Sequence, residues 1–199
     1  MGCCAVTLCL PAYALDSSQA VKDYSLTEWR TTNGLPYPAI RATAQSADGY
    51  LWVATRTGLG RFDGLNFTTY TSANLPILAS NDVQTVCAGP ADTLWIGTAK
   101  GVIWYKNGVW SRPTLDQAIE SSAVSAFCCD SEAGMWIGAD QNLYRYTADG
   151  GCKLRASVVT MAVPITRIEG ILQSPHGEIF VVATEQCKIW HRDCPRSRF

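Results

Sequence analysis

Apolar residues in this chain recur in short alternating runs, bounded every few residues by Gly, Asp, Asn or Pro. No stretch keeps a 3.6-residue period for long. Four of the runs align on an aromatic centre: Tyr50-Leu51-Trp52-Val53-Ala54-Thr55, Thr93-Leu94-Trp95-Ile96-Gly97-Thr98, Gly134-Met135-Trp136-Ile137-Gly138-Ala139 and Glu178-Ile179-Phe180-Val181-Val182-Ala183-Thr184. The centres Trp52, Trp95, Trp136 and Phe180 stand 43, 41 and 44 residues apart. That period suits a four-stranded propeller blade of ~40–45 residues and is too long for a leucine-rich repeat. Flanking columns agree. Twelve before each aromatic come Ile40, Val83, Val124 and Ile168; eight before, Ala44, Cys87, Cys128 and Leu172. Seven after come Leu59, Val102, Leu143 and Cys187; ten after, Phe62, Tyr105, Tyr146 and Trp190.

Alternation and turn chemistry divide each unit into strands a to d. Strand a is Ile40–Gln45 and its equivalents, and strand b carries the aromatic centre. Turns between them hold Asp48-Gly49, Ala133-Gly134 or His176-Gly177. Asp63-Gly64, Asn107-Gly108 and Asp149-Gly150 mark c–d hairpins, because these pairs accept positive φ. Strand d is Asn66–Tyr70 in the first unit and Val109–Arg112 in the second. The expected fold is all-β: four-stranded antiparallel blades, strand a innermost, about four repeats. Stacked blades bury both faces, which accounts for the aromatic and β-branched columns. Ala54, Gly97 and Gly138, two after the aromatic, are small enough for the next blade to approach closely, with Val182 the exception. The strand a column Ala42, Thr85, Ala126 and Gly170 is small as well.

The blades are expected at about 37–72, 80–113, 121–158 and 165–191, within a repeat region 24–190. Tyr24–Arg30 alternates like an outer strand without its own a, b and c, the kind of strand that completes a last blade and closes a ring. Closing only four blades demands a large turn per blade, so an open, incomplete propeller is expected instead. Its uncovered edges and faces favour self-association of the isolated chain. Residues 1–14 are expected to be a truncated secretory signal. Ala5–Leu10 is a short apolar run, Ala12-Tyr13-Ala14 is an A-x-A cleavage pattern, and no Lys or Arg precedes Lys22. The run is too short to span a bilayer. The tail 193–199 breaks from the strand pattern.

Of the 199 residues 47% are hydrophobic, which argues against disorder, and the net charge is -1 with scattered Lys and Arg. Nothing forms a basic stripe, so nucleic acid is not an expected partner. Three of the nine cysteines, Cys3, Cys4 and Cys9, fall in the signal, and the other six lack C-x-x-C spacing. Cys87, Cys128 and Cys187 occupy apolar columns and read as small buried hydrophobes. Cys187 and Cys194 remain candidates for pairing in an oxidising compartment.

The opening Tyr24…Trp29…Gly34-Leu35-Pro36, the run Asp48–Thr55, and Gly58-Leu59…Arg61-Phe62-Asp63-Gly64…Phe67 resemble the two-component regulator propeller repeats, over about Tyr24 to Trp190. The resemblance weakens from the first repeat to the fourth. It implies the periplasmic sensor region of a bacterial hybrid histidine kinase or diguanylate cyclase, built as a seven-bladed propeller. It also implies a membrane-anchored output domain, of which this chain shows no sequence.

The two histidines, His176 and His191, lack spaced partners for a metal or a triad and read as solvated loop residues. Gly58-Leu59-Gly60 lacks the third glycine and the helix of a dinucleotide fingerprint. Asp48, Asp92, Asp130 and Glu132 read as turn formers rather than a calcium loop. Asn66-Phe67-Thr68 fits a weak glycosylation sequon. No catalytic residue, metal site or cofactor is expected. In propellers the b–c loops surround one channel mouth, which makes Arg56, Thr57, Lys100, Asp140, Gln141 and Gln186 the candidate contacts for a small polar ligand, with oligosaccharides suggested by relatives. Trp52, Trp95, Trp136, Phe180, Gly97 and Gly138 are expected to be structural. The expected function is extracytoplasmic, periplasmic ligand sensing without catalysis. The alternatives are a protein-interaction scaffold or a fragment of a propeller enzyme such as a lyase.

Overall fold

The computed structural model describes residues 26–115, 119–147, 151–157, 167–183 and 186–190, with backbone alone for 151–157 and 186–190. Its regular structure is β apart from short 3₁₀ turns. The first sheet comprises β1 (Ile40–Gln45), β2 (Leu51–Thr55), β3 (Gly58–Phe62) and β4 (Phe67–Tyr70). The second comprises β5 (Val83–Ala88), β6 (Leu94–Thr98), β7 (Gly101–Lys106) and β8 (Val109–Ser111). The third has β9 (Val124–Cys129), β10 (Met135–Ala139), β11 (Asn142–Thr147) and β12 (Gly151–Ser157). The fourth has β13 (Ile168–Gln173), β14 (Ile179–Ala183) and β15 (Gln186–Trp190). Each is an antiparallel meander in chain order, and no strand pairing joins one sheet to another among the described residues. The sheets are propeller blades in an open arc.

Register repeats with the sequence columns. The residue eight before each aromatic lies opposite it: Ala44 on Trp52, Cys87 on Trp95, Cys128 on Trp136 and Leu172 on Phe180. Each blade also breaks register at one place near the start of strand a, between Ile40 and Ala42, Val83 and Thr85, Val124 and Ala126, and Ile168 and Gly170. The extra residue of these four bulges is Arg41, Gln84, Ser125 or Glu169.

Trp52 and Trp95 are fully buried and Trp136 nearly so, whereas Phe180 is only half-buried. The aromatic ten residues beyond a blade's Trp turns back onto the preceding blade. Tyr105 lies 4.9 Å from Trp52, and Tyr146 lies 5.0 Å from Trp95, between ring centroids. The small column does what close stacking requires. A Cβ on Gly97 would stand 2.7 Å from the Val124 carbonyl oxygen of the next blade, and one on Gly138 would stand 2.7 Å from Ile168 Cγ2.

The a–b turns tie neighbouring blades together. Trp52 Nε1 donates to Ser46 Oγ at 2.8 Å, Ser46 donates to Asp48, and the Tyr105 hydroxyl donates to Asp48 Oδ2 at 2.6 Å. Burial alone pushes the Asp48 carboxyl up, but these hydrogen bonds outweigh it and hold the group below the usual range.

Two expectations need correction. Of the outer strand expected at Tyr24–Arg30, the described part, 26–30, is irregular. No strand pairs with it among the described residues. Instead Trp29 packs edge-on to Phe62 at 4.7 Å, where the repeat pattern puts a blade tryptophan. Cys87 and Cys128 are half-buried rather than buried, because strand a forms the inner edge of its sheet. Cys187, Cys194, His191 and the Asp149-Gly150 hairpin lie outside the residues whose side chains are described.

Candidate functional site

The six b–c loop candidates have different surroundings. Thr57 Oγ1 donates to the Pro36 carbonyl at 3.1 Å, anchoring the segment that covers the first blade. Asp140 takes φ 49°, its amide donates to the Ala123 carbonyl at 2.9 Å, and its own carbonyl accepts from the Ile168 amide at 3.0 Å. Asp140 thus joins the third blade to the fourth. Arg56 and Lys100 are exposed and Gln141 half-exposed on the same end of the arc. Gln186 pairs with Ala183 in β15, and its side chain lies outside the description.

The structure brings a different set together beside those loops. A β-bulge leaves one residue out of the ladder and re-aims its side chain. Here the four re-aimed residues are all polar: Arg41, Gln84, Ser125 and Glu169. Arg41 reaches the second blade, where its Nη1 donates to Asp82 Oδ1 at 2.5 Å and to the Val83 carbonyl at 3.4 Å. Gln84 Nε2 donates to Asp82 Oδ2 at 2.7 Å, and Arg167 Nη2 donates to Gln84 Oε1 at 2.8 Å. Ser125 Oγ donates to the Ile168 carbonyl. A polar thread thus runs along the inner edge from the first blade to the start of the fourth. Arg41 and Asp82 each keep about a third of their side-chain surface in solvent, at 34% and 35%. The rim carries Arg41 and Arg167 with Asp82 and Glu169, and its arginines are planar multi-dentate donors suited to hydroxyl or carboxylate groups. The signal for it lay in the sequence as a polar residue between two apolar columns: Ile-Arg-Ala, Val-Gln-Thr, Val-Ser-Ala, Ile-Glu-Gly.

The opposite end, of a–b and c–d turns, holds a cleft of about 570 Å³ between the second and third blades, lined by Trp95, Trp104, Tyr146, Thr93, Lys106 and Ser111 among others. At the junction before it, Trp110 fills the corresponding space, 5.6 Å from Trp52, 5.2 Å from Tyr70 and 4.9 Å from Tyr105. Trp110 pairs with Tyr105. The same register in the third blade puts Cys152 opposite Tyr146. Among the described residues no tryptophan fills the second junction as Trp110 fills the first.

The turn carboxylates behave as turn formers. Asp130 accepts from the Gly134 amide at 2.7 Å, the Glu132 amide at 2.8 Å and Arg145 Nε at 2.6 Å. Its side chain is 3% exposed; burial raises its carboxyl, and these donors more than reverse that, leaving it below the usual range. Among the described residues no three His, Cys, Asp or Glu side chains gather as metal ligands, and His176 is exposed.

No family model matches the chain, and no curated protein matches it in sequence. Solved structures do. The extracellular domain of one hybrid two-component system from B. thetaiotaomicron superposes with a TM-score of 0.66 at 18% identity, covering 81% of this chain and 22% of that one. A second from the same organism gives 0.67 at 15%, covering 84% and 24%. Virginiamycin B lyase from Staphylococcus aureus gives 0.57 at 14%, covering 80% and 58%. The chain spans less than a quarter of the length of the two sensor domains. Likeness at such identity is likeness of fold, and together with the four repeating sheets it establishes the chain as a run of β-propeller blades.

Proposed function

We propose that this chain is a ligand-sensing propeller segment of an extracytoplasmic signalling receptor, with no catalysis of its own. The observation that carries the reading is the thread Arg41–Asp82–Gln84–Arg167, a polar rim at the inner edge that engages the first two blades and the start of the fourth. Support comes from the resemblance of the first repeats to sensor propellers and from the fold shared with two sensor extracellular domains. The ligand class is a small polar molecule rich in hydroxyl or carboxylate groups, such as a short oligosaccharide. Because the rim links successive blades, a ligand seated on it sets their relative tilt, the kind of movement a receptor passes on.

Isothermal titration of the chain against neutral and uronic-acid oligosaccharides tests this. Each charged hydrogen bond to a ligand contributes about 1.5–3 kcal/mol, so Arg41→Ala or Arg167→Ala weakens binding about 10- to 100-fold. Arg56→Ala, outside the thread, leaves it within about threefold. Binding indifferent to both thread variants, or turnover of the sugar, counts against the reading.

A further inference from the structure

We propose that Cys87 and Cys129 are the two halves of an inter-blade disulfide site, fastening the inner strand of the second blade to that of the third. Cys87 lies in β5 and Cys129 ends β9. Their sulfurs bracket one atom: the Ala88 carbonyl oxygen is 3.3 Å from Cys87 Sγ and 3.0 Å from Cys129 Sγ. The two thiols are close enough that the ionisation of each affects the other. No ladder joins β5 to β9, so the two strands have freedom to adjust as the bond forms.

The repeat makes this junction unlike its neighbours. Across each junction the residue eight before one blade's aromatic meets the residue seven before the next blade's. At the first junction these are Ala44 and Ala88. At the third they are Cys128 and Gln173. Only the second of these junctions has cysteine at both positions. Cys128 does not compete for its neighbour, because successive residues of a strand point to opposite faces.

The environment assigns the roles. Hydrogen bonding from Cys87 outweighs burial and holds the exposed Cys129 thiol at about 7, below the ordinary value, whereas that same contact and burial push Cys87 up. Cys129 is the attacking sulfur. As thiolate it attacks a small disulfide such as glutathione disulfide, forming a mixed disulfide and expelling one glutathione thiolate. Cys87 then gives up its proton to solvent and attacks the Cys129 sulfur, expelling the second. The two cysteines lose two protons and two electrons, and one glutathione disulfide takes them up to become two glutathiones. The bond persists in an oxidising compartment, which the extracytoplasmic reading supplies. The thiol geometry does not depend on that reading, and the test is independent of it.

The full chain, purified reduced, is equilibrated at low concentration in glutathione redox buffer, alkylated and digested with trypsin. Non-reducing mass spectrometry is expected to find the peptide Phe62–Lys100, carrying Cys87, joined to Asn107–Arg145, carrying Cys128 and Cys129. The link survives in Cys128→Ala and disappears in Cys87→Ala and Cys129→Ala, each of which retains the parent β-sheet circular dichroism. In reduced protein at pH 7, Cys129 alkylates at least tenfold faster than Cys87. Full alkylation of Cys87 and Cys129 under oxidising conditions overturns the proposal. So does a link that persists in Cys129→Ala, or one that joins isotopically distinct chains.

Discussion

Replacing Gly97 by alanine adds one methyl group at the tightest point between the second and third blades. Its carbon would lie 2.7 Å from the Val124 carbonyl oxygen, 2.8 Å from Thr85 Cγ2 and 3.0 Å from Val124 Cγ1. The nearest atom is backbone, so no rotamer change relieves the contact and β9 itself must retreat. Overpacking of this kind costs ~1–3 kcal/mol. Gly97 is not among the residues with positive φ, so alanine loses nothing in backbone conformation there. It also stabilises by restricting the unfolded chain, by ~0.4–1 kcal/mol. The clash outweighs that gain, and the net loss is about 1–2 kcal/mol. For a chain of this size that lowers Tm by ~3–6 °C. Gly138→Ala is the internal comparison. Its nearest neighbour is Ile168 Cγ2 at 2.7 Å, a methyl that can yield by a small rotation, while Ile168 Cβ at 3.2 Å and Ala126 Cβ at 3.3 Å need give only a few tenths of an ångström. Its net effect is within about 1 kcal/mol of zero. Thermal melts followed by circular dichroism at matched concentration decide. Gly97→Ala melting at or above the parent, or Gly138→Ala melting below Gly97→Ala, refutes close backbone approach as the reason for this column. Combining Gly97→Ala with Val124→Ala must fail to restore Tm, since the carbonyl stays in place.

Asp130→Asn strands Arg145 beside Glu132 alone and costs ~3 kcal/mol, since the Arg145–Asp130 pair is nearly buried. The Asp130 carboxyl is held below its unfolded value of about 3.9. Its stabilisation is therefore fully present above that value and lost as pH falls through the lower folded one. Between pH 6 and 3, Tm of the Asn variant falls less steeply than that of the parent, and parallel curves count against the assignment. Trp110→Ala opens a second aromatic cleft at the first junction, costs ~3 kcal/mol by denaturant titration, and raises binding of a hydrophobic dye. Ile40 and Leu51 on the first blade are 45% and 40% exposed, so the chain self-associates in light scattering, and Ile40→Lys shifts it towards monomer.

The all-β repeat was legible because one column of large aromatics recurs every 41 to 44 residues, and many turns carry Gly beside Asp, Asn, Ala or His. Even the inner-strand limits Ile40–Gln45 follow from alternation. The irregular run 26–30 was not legible, because alternation shows that a segment suits pairing and not that a partner stands beside it. The b–c loops were chosen from general propeller geometry, which places polar loops near the channel but does not show that Thr57 holds the segment before the first blade and that Asp140 joins the third blade to the fourth. Arg41, Gln84, Ser125 and Glu169 lay in plain sight, between two apolar columns. What raised them to a site is the bulge, a break in register that appears only once both strands are placed. The Cys87–Cys129 contact needed the stagger of one blade against the next, which columns within single blades do not contain.

Tryptophan at 110 and cysteine at 152 hold the same place in successive blades, yet one junction is filled and the other keeps a cleft. In a structure made by repetition, the seam is thus a heritable unit separate from the blade. A single codon can hollow one seam while the frame of the fold goes on being copied unchanged. Duplicating a blade duplicates a seam, and the two copies are then free to diverge, one kept solid for rigidity and the other emptied for chemistry. Novelty in such a lineage accumulates between the repeats, where sequence comparison within repeats is least equipped to look for it.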